Sequence, residues 1–201
     1  MRTKVILLSG GLDSLCTLFL YPGQMKKCFW VNYGQKNADA EWDAVQRIAN
    51  VFPDMYVTPL LAKGMFHYCK SSILRKDRID TVKSAELPNR NTALVNVVAS
   101  NLDPRMEWDI VVGAHKSGSG YVDCKPGFYK RLDKLLRYST SGRIRCEAPG
   151  IHLTKEQLVA KAKKLGLTKT LASMTMSCYS GTDCGFCPAC IQRQEVMKRL
   201  F

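Results

Sequence analysis

The sequence predicts an α/β fold in which a parallel sheet is flanked by helices, because short apolar segments alternate along the chain with longer segments of helical periodicity. Its 201 residues, 46% of them hydrophobic, can bury one substantial core, so a single domain is expected over residues 1–201. A cysteine-rich end sets residues 173–201, with a predicted metal site and C-terminal helix, apart from the α/β core over residues 1–172.

The amino-terminal part of the chain predicts three strands separated by two helices. Lys4–Leu8 is short and continuously apolar, which is typical of a buried parallel strand, and Asp13–Leu20 has helical spacing up to a Tyr-Pro-Gly break. The same alternation then predicts a strand over Cys28–Val31, a helix over Ala38–Val51 and a strand over Met55–Leu61.

The alternation resumes after a long segment without clear periodicity. This segment, Lys63–Leu87, is predicted to be a lid, because long unpatterned loops over the active edge of such sheets are often functional. Beyond it the pattern predicts a helix over Asn91–Leu102, a strand over Asp109–Val112 and a basic amphipathic helix over Lys125–Tyr138. A Thr-Lys-Glu-Gln capping box at 154–157 predicts the start of a last lysine-rich helix.

The net charge of +13 makes nucleic acid a partner to consider, since lysine and arginine release counterions from a phosphate backbone. The basic residues are spread along the chain, however, and the densest run, 155–166, predicts a solvated helix face. Nucleic acid is therefore not a required partner. No run approaches the roughly 20 apolar residues of a membrane-spanning helix. The start of the chain also lacks a signal-peptide pattern, so a cytoplasmic protein without a membrane partner is expected.

The string SGGLDS lies where the first predicted strand gives way to the first helix. Ligands bind beyond the carboxyl ends of parallel strands, and a helix that starts there offers unpaired N–H groups to an anion. Gly10 and Gly11 allow close approach of the backbone, Ser9 and Ser14 add hydroxyls, and the charge of Asp13 calls for a bridging Mg²⁺ or N–H groups. The Walker and GxGxxG patterns are both missing here. A plain strand-to-helix turn remains an alternative.

Four of the nine cysteines lie close together near the end of the chain, separated by five, two and two residues. Four thiolates form a closed tetrahedral Zn²⁺ site, which would be structural because it has no open position. An iron–sulfur cluster and a CxxC redox pair are the alternatives. We favour one structural Zn²⁺ per chain. Its predicted ligands are Cys178, Cys184, Cys187 and Cys190.

Several segments together carry a resemblance to a known family. SGGLDS resembles the pyrophosphate loop of the N-type ATP pyrophosphatases, which cleave ATP between the α and β phosphates. It is followed in order by VNYGQKNADAE, LPNRNTALVNVVAS, GAHKSGSGYVDCKPGF, APGIHLTKEQLV and SCYSGTDCGFCPAC. Over nearly the whole chain, these segments are similar to the 7-cyano-7-deazaguanine synthase (QueC-like) family. The resemblance implies a Rossmann-like fold of the adenine nucleotide alpha hydrolase type, with the nucleotide bound by the core over residues 1–172.

The resemblance implies an ATP-dependent carbon–nitrogen ligase of queuosine biosynthesis. Such enzymes adenylate 7-carboxy-7-deazaguanine, let ammonia displace AMP to give the amide, and activate the amide again to leave the nitrile. Mg²⁺ bound with ATP and a homodimer are also implied. Three alternatives stay open: a reaction that stops at the amide, a related enzyme that modifies tRNA or transfers the acyl group to another amine, and a degenerate nucleotide- or nucleic-acid-binding module.

The resemblance also implies which residues form the site. A carboxylate such as Asp123 can accept from a guanine-like edge, although a turn or cap role remains open for it. The implied catalytic residues are Asp13, Ser14 and Arg90. The implied ATP-binding residues are Leu8, Ser9, Gly10, Gly11, Leu12, Asp13, Ser14, Tyr33, Gly34 and Gln35. The implied substrate-binding residues are Arg90, Asn91, Gly113, Tyr121 and Asp123.

The chain departs from the family pattern at several places. Asn37 stands where a histidine or a similar residue is usual, and KSGSG at 116–120 stands where acidic residues are usual. The first cysteine spacing is also short. Of the three histidines, His115 follows a predicted strand; a plain hydrogen-bonded role is expected for it, and contact with the substrate is the alternative. These departures keep the amide-forming alternative open.

Overall fold

The structure, a computed structural model, describes residues 2–21, 26–75, 86–116 and 121–201. Five parallel strands form one sheet with the order β3-β2-β1-β4-β5. The α/β class with a parallel sheet flanked by helices is confirmed. The strands are β1 (Thr3–Leu7), β2 (Lys26–Asn32), β3 (Met55–Leu61), β4 (Trp108–Val112) and β5 (Ile144–Glu147).

Helices cover both faces of the sheet. One face packs against α1, α2, α5, α6 and α7, and the other packs against α3 and α4. Because successive side chains of a strand point to opposite faces, Ile6 of β1 joins the first core and its neighbour Val5 joins the second. The helices are α1 (Leu12–Phe19), α2 (Ala38–Ala49), α3 (Arg90–Ala99), α4 (Pro126–Ser139), α5 (Lys155–Lys164), α6 (Lys169–Ser173) and α7 (Pro188–Leu200).

One strand, β5, and one α-helix, α6, were not predicted from the sequence, and neither was a short 3-10 helix at Val122–Cys124. The strand β5 reads Ile-Arg-Cys-Glu, so two charged side chains interrupt the apolar pattern even though Ile144 and Cys146 are buried. It lies at the edge of the sheet next to β4, where one side of the strand needs no partner. The predicted capping box is confirmed, because the Thr154 hydroxyl accepts from Gln157 N and the Gln157 side chain accepts from Thr154 N.

Three sequence expectations fall wholly or partly on residues outside the described ranges. The Tyr-Pro-Gly break reaches into residues 22–25, the proposed lid includes residues 76–85, and KSGSG includes residues 117–120. Within the described parts of the chain, no helix combines the length and apolar character needed to cross a membrane.

Candidate functional site

The candidate site lies at the carboxyl edge of the sheet, where β1 and β4 are neighbours. The chain leaves β1 toward β2 on one side and returns through β4 on the other, so the strand order reverses at this pair. Such a reversal opens a crevice in which open α/β sheets bind ligands. A cavity of about 340 Å³ opens here and is lined by residues that follow both strands.

Gly113 brings the end of β4 directly against the start of α1. A Cβ atom at Gly113 would lie 2.8 Å from Ser14 Cα and 2.9 Å from Ser14 N, which is closer than real Cβ contacts allow. Only glycine therefore permits this approach. Its role in the structure is to bring two backbones together at the edge of the cavity.

The loop after β1 has a shape that depends on Gly10. This residue has a φ of 75° in the left-handed region, and a Cβ there would lie 2.7 Å from Glu41 O. The chain then enters α1 through Gly11, and the first N–H groups of that helix have no acceptor within it. The loop thus ends in backbone donors and the positive end of a helix dipole, an arrangement that suits a phosphate group.

The two serine hydroxyls hold the loop together from within. Ser14 Oγ donates to Gly11 O at 2.9 Å and accepts from Ser9 N at 3.2 Å, while Ser9 Oγ lies 3.2 Å from Ser14 Oγ. Both serines also line the cavity. They fix the loop in the shape that a phosphate group would meet.

Asp13 pairs with two basic side chains of the site. Its Oδ2 lies 3.3 Å from Lys155 Nζ and 3.4 Å from His115 Nε2. Burial acts to raise the pKa of Asp13, but Lys155 and His115 outweigh it and lower this pKa to about 2. The other oxygen, Oδ1, is buried without a hydrogen-bond partner among the described residues, although the side chain as a whole is 28% exposed. Asp13 is thus a charged carboxylate with one oxygen available to a cation.

Lys155 is a site residue that the sequence analysis missed. The prediction of a solvated face is right for Lys161, Lys163 and Lys164, which are exposed, but it is wrong for Lys155, which is 4% exposed and lines the cavity. The capping box was the available signal. It places Lys155 at the first position of α5, so the side chain lies at the helix end and not on its outer face.

Of the three implied ATP-binding residues that follow β2, one lines the cavity and two do not. Tyr33 is buried and lines it, whereas Gly34 is exposed. The Gln35 amide serves the loop itself, because Oε1 accepts from Tyr33 N at 2.9 Å and Nε2 donates to Val31 O and to a Glu41 oxygen. Gln35 therefore shapes this wall from behind.

Glu41 and Asn37 connect this wall to the cysteine-rich segment. Glu41 accepts from Trp30, Gln35 and Asn37, and burial raises its pKa to about 7 despite these donors. Asn37 Nδ2 donates at 3.1 Å both to Glu41 Oε1 and to Cys178 O, which fixes the orientation of the amide. Asn37 Oδ1 is left buried at the cavity with no hydrogen-bond partner in the described ranges.

The start of α3 borders a second, smaller cavity of about 140 Å³. Arg90 lines both cavities. Asn91 lines only the larger one and holds Asp123 in place, since Asn91 Nδ2 donates to Asp123 O at 3.0 Å. Asp123 and Tyr121 line only the smaller cavity. Arg90 thus lies between Asn91, on the side of the larger cavity, and Tyr121 and Asp123, on the side of the smaller one.

The four cysteines of the C-terminal segment converge on one point. Their sulfur atoms all lie within 4.8 Å of one another, and all but Cys184 are buried. Backbone N–H groups of Ser180, Cys187 and Cys190 donate to sulfur atoms of the cluster at 3.4 Å. Four converging sulfurs supported by N–H donors fit a tetrahedral metal site that leaves no open position.

The segment that precedes the first cysteine lies against the loop after β1. Met176 N donates to Gly10 O at 2.9 Å, and Met176, Ser177 and Tyr179 line the larger cavity. The position of this cavity wall is thus linked to the geometry of the cysteine cluster.

Comparison with known proteins agrees with this arrangement. A family model described as "Queuosine biosynthesis protein QueC" matches residues 3–200. The chain is 31% identical to the 7-cyano-7-deazaguanine synthase of Rickettsia prowazekii, over 99% of the chain and 96% of that relative. It is 30% identical to the enzyme of that name from Coxiella burnetii, over 98% of the chain and 94% of the relative. The Marinobacter nauticus enzyme of that name is also 30% identical, over 95% and 90%.

Proposed function

The chain belongs to the QueC family, and from this premise we propose that it is an ATP-dependent ligase that converts 7-carboxy-7-deazaguanine, with ammonia, into 7-cyano-7-deazaguanine. The observation that carries the proposal is the cluster of Asp13, Lys155 and His115 beside the glycine loop at the reversal of strand order. This arrangement offers positive charge and backbone donors to a polyphosphate at the place where such sheets bind nucleotides.

The proposed first step is the transfer of AMP to the carboxylate of the substrate. A carboxylate oxygen attacks the α-phosphorus of ATP, and the bond from that phosphorus to the bridging oxygen breaks to release pyrophosphate. The loop from Leu8 to Ser14 and Lys155 would hold the departing pyrophosphate, and Arg90 would neutralise the carboxylate or the α-phosphate. Such positioning and charge neutralisation need no protein nucleophile.

The later steps follow the same logic. Ammonia attacks the acyl carbon and AMP leaves, which gives the amide with loss of one proton. The amide oxygen then attacks a second ATP, and AMP departs with that oxygen while the nitrogen loses its two protons, which leaves the nitrile. Each carbonyl-derived oxygen thus leaves on phosphorus, and the two pyrophosphate molecules leave from the same loop.

Two metal ions belong to the proposal. The free oxygen of Asp13 fits Mg²⁺, which would supply positive charge to the phosphates of bound ATP. The four cysteines fit one structural Zn²⁺ per chain. We also propose the division into a nucleotide-binding core over residues 1–172 and a zinc-binding subregion over residues 173–201, a homodimer, and a cytoplasmic location.

Exchange of labelled pyrophosphate into ATP tests the proposal. We expect exchange with purified protein to depend on 7-carboxy-7-deazaguanine, and mass spectrometry after addition of ammonium to detect the nitrile. Accumulation of the amide alone would restrict the function to the first half-reaction. Exchange that requires tRNA and ignores the deazapurine would replace the proposal with a tRNA-modifying activity, and RNA binding without any exchange would indicate a degenerate module.

A further inference from the structure

Tyr129 has a buried hydroxyl group that nothing in the described ranges satisfies. It lies in the first turn of α4, is only 5% exposed, and its hydroxyl has no hydrogen-bond partner among the described residues. Tyr129 also lines the larger cavity. A buried hydroxyl without a partner destabilises a fold, so a group of this kind beside a cavity calls for a functional explanation.

The surroundings of Tyr129 hold its ring firmly. The ring packs in the core between α4 and the sheet, and its centroid lies 5.1 Å from that of Phe128 in an edge-to-face arrangement. Burial raises the pKa of Tyr129 well above its ordinary value, so the hydroxyl stays protonated. It can therefore both donate and accept a hydrogen bond at a fixed position.

The neighbouring polar groups on this part of the cavity wall differ from Tyr129 in what they offer. Arg90 can only donate, and its charge suits an anion. The Asn91 side-chain N–H groups donate to Asp123 O and to Cys124 Sγ, so they are already engaged by the turn that precedes α4. The Tyr129 hydroxyl adds a neutral group that can accept as well as donate. This combination complements a heterocycle whose edge carries N–H donors and a carbonyl oxygen.

We propose that the Tyr129 hydroxyl forms a hydrogen bond with the ring system of the deazaguanine substrate and so contributes to specificity for it. The inference rests on the proposed function and extends it by one substrate-binding residue. It places the heterocycle deep beside α3 and α4, with Arg90 next to the anionic substituent and the phosphates at the other end of the cavity.

Tyr129→Phe tests the inference because it removes the hydroxyl and keeps the ring. We expect the KM for 7-carboxy-7-deazaguanine in pyrophosphate exchange to rise roughly three- to tenfold, which is the effect of one lost hydrogen bond. The KM for ATP and the metal content should not change. The midpoint of thermal unfolding should stay the same or rise, since an unsatisfied buried group has been removed. Tyr138→Phe is the matched control, as Tyr138 lies on the same helix and is 89% exposed.

Two results would overturn the inference. One is an unchanged KM for the acid in Tyr129→Phe. The other is a clear drop in the unfolding midpoint of this variant alone, which would show that the hydroxyl has a structural partner. The wild-type protein is assayed first. If it shows no exchange with this acid, the proposed function itself fails, and that failure is recognised before any variant is compared.

Discussion

The loop from Leu8 to Ser14 and the segment from Cys178 to Cys190 are in contact through their neighbours, yet different forces stabilise them. Leu8, Leu12 and Leu15 anchor the first loop with side chains that are fully buried in the core. In the second segment, all three of the buried residues are cysteines of the cluster itself. The first loop can therefore take its shape from hydrophobic packing, whereas the second has few apolar groups and would depend on the proposed metal ion to fold.

The two regions therefore form different parts of the cavity: the loop after β1 would bind phosphate, and the cysteine-rich segment supplies the opposite wall. The glycine loop that would contact phosphate follows β1, the central strand of the sheet. The opposite wall of the cavity is connected to the cysteine cluster, through Met176 and through the Asn37 contact with Cys178 O. Loss of the metal should therefore open the site without unfolding the sheet.

Metal removal should cause the largest loss of activity. Cys187→Ser should lose the metal ion, because one of its four ligands is removed. Structural Zn²⁺ contributes roughly 10 kcal/mol or more to the folding of such segments, so the cysteine-rich segment should then unfold. We expect activity to disappear while the far-ultraviolet circular dichroism of the α/β core changes little. Metal content by atomic absorption and activity are the measurements, and Cys69→Ser, outside the cluster, is the control. A Cys187→Ser protein that remains active without metal would show that the cavity wall does not depend on the metal ion.

Asp13→Ala should have the next largest effect, and on the first loop alone. It removes the carboxylate that pairs with Lys155 and His115, so turnover should fall on the order of 100- to 1000-fold, as for the loss of one electrostatic group at a reacting centre. Zinc content should stay at the wild-type value. Steady-state pyrophosphate release checks this, with exposed Asp43→Ala as the control. Normal turnover in Asp13→Ala would mean that the phosphate site lies elsewhere.

Lys155→Met should have a smaller effect with a pH signature. Without Lys155 the pKa of Asp13 should rise from about 2, so the acid limb of the pH–activity profile should move to higher pH. In the wild-type protein the low pKa stabilises the fold above about pH 4, and this contribution is lost as the pH falls toward 2. We expect the KM for ATP to rise roughly tenfold, from the loss of one charge contact. Exposed Lys164→Met is the control on the same helix, and equal profiles for the two variants would remove Lys155 from the site.

Asn37→Ala should have the smallest effect and would sharpen the link between the two regions. It removes the amide that donates to Glu41 and to Cys178 O, so the free energy of unfolding should fall by about 1–2 kcal/mol. The metal should remain bound, because no ligand is lost. Denaturant unfolding with parallel measurement of metal content checks this. Loss of metal in Asn37→Ala would show that metal binding by the cysteine cluster requires its contact with Asn37.

The fold was largely predictable because its signals are local. Each interior strand is a short apolar run, and the capping box at Thr154 marks a helix start within four residues. The edge strand β5 was missed because Arg145 and Glu147 hide its pattern, although the alternate residues are buried. A short edge strand that contains charged residues has no local sequence pattern that distinguishes it from a loop.

The glycine loop after the first strand and the four clustered cysteines are evident from the amino-acid sequence alone, because each is a short string whose chemistry follows from residue type and spacing. The contact of Lys155 with Asp13, 142 residues earlier in the chain, and the burial of the Tyr129 hydroxyl beside the cavity follow only from the fold. The physical reason is that burial and long-range charge pairing depend on which helix ends meet at the edge of the sheet. The pattern of a single helix gives its periodicity but not its neighbours, so a lysine in a basic run looks solvated until the fold encloses it.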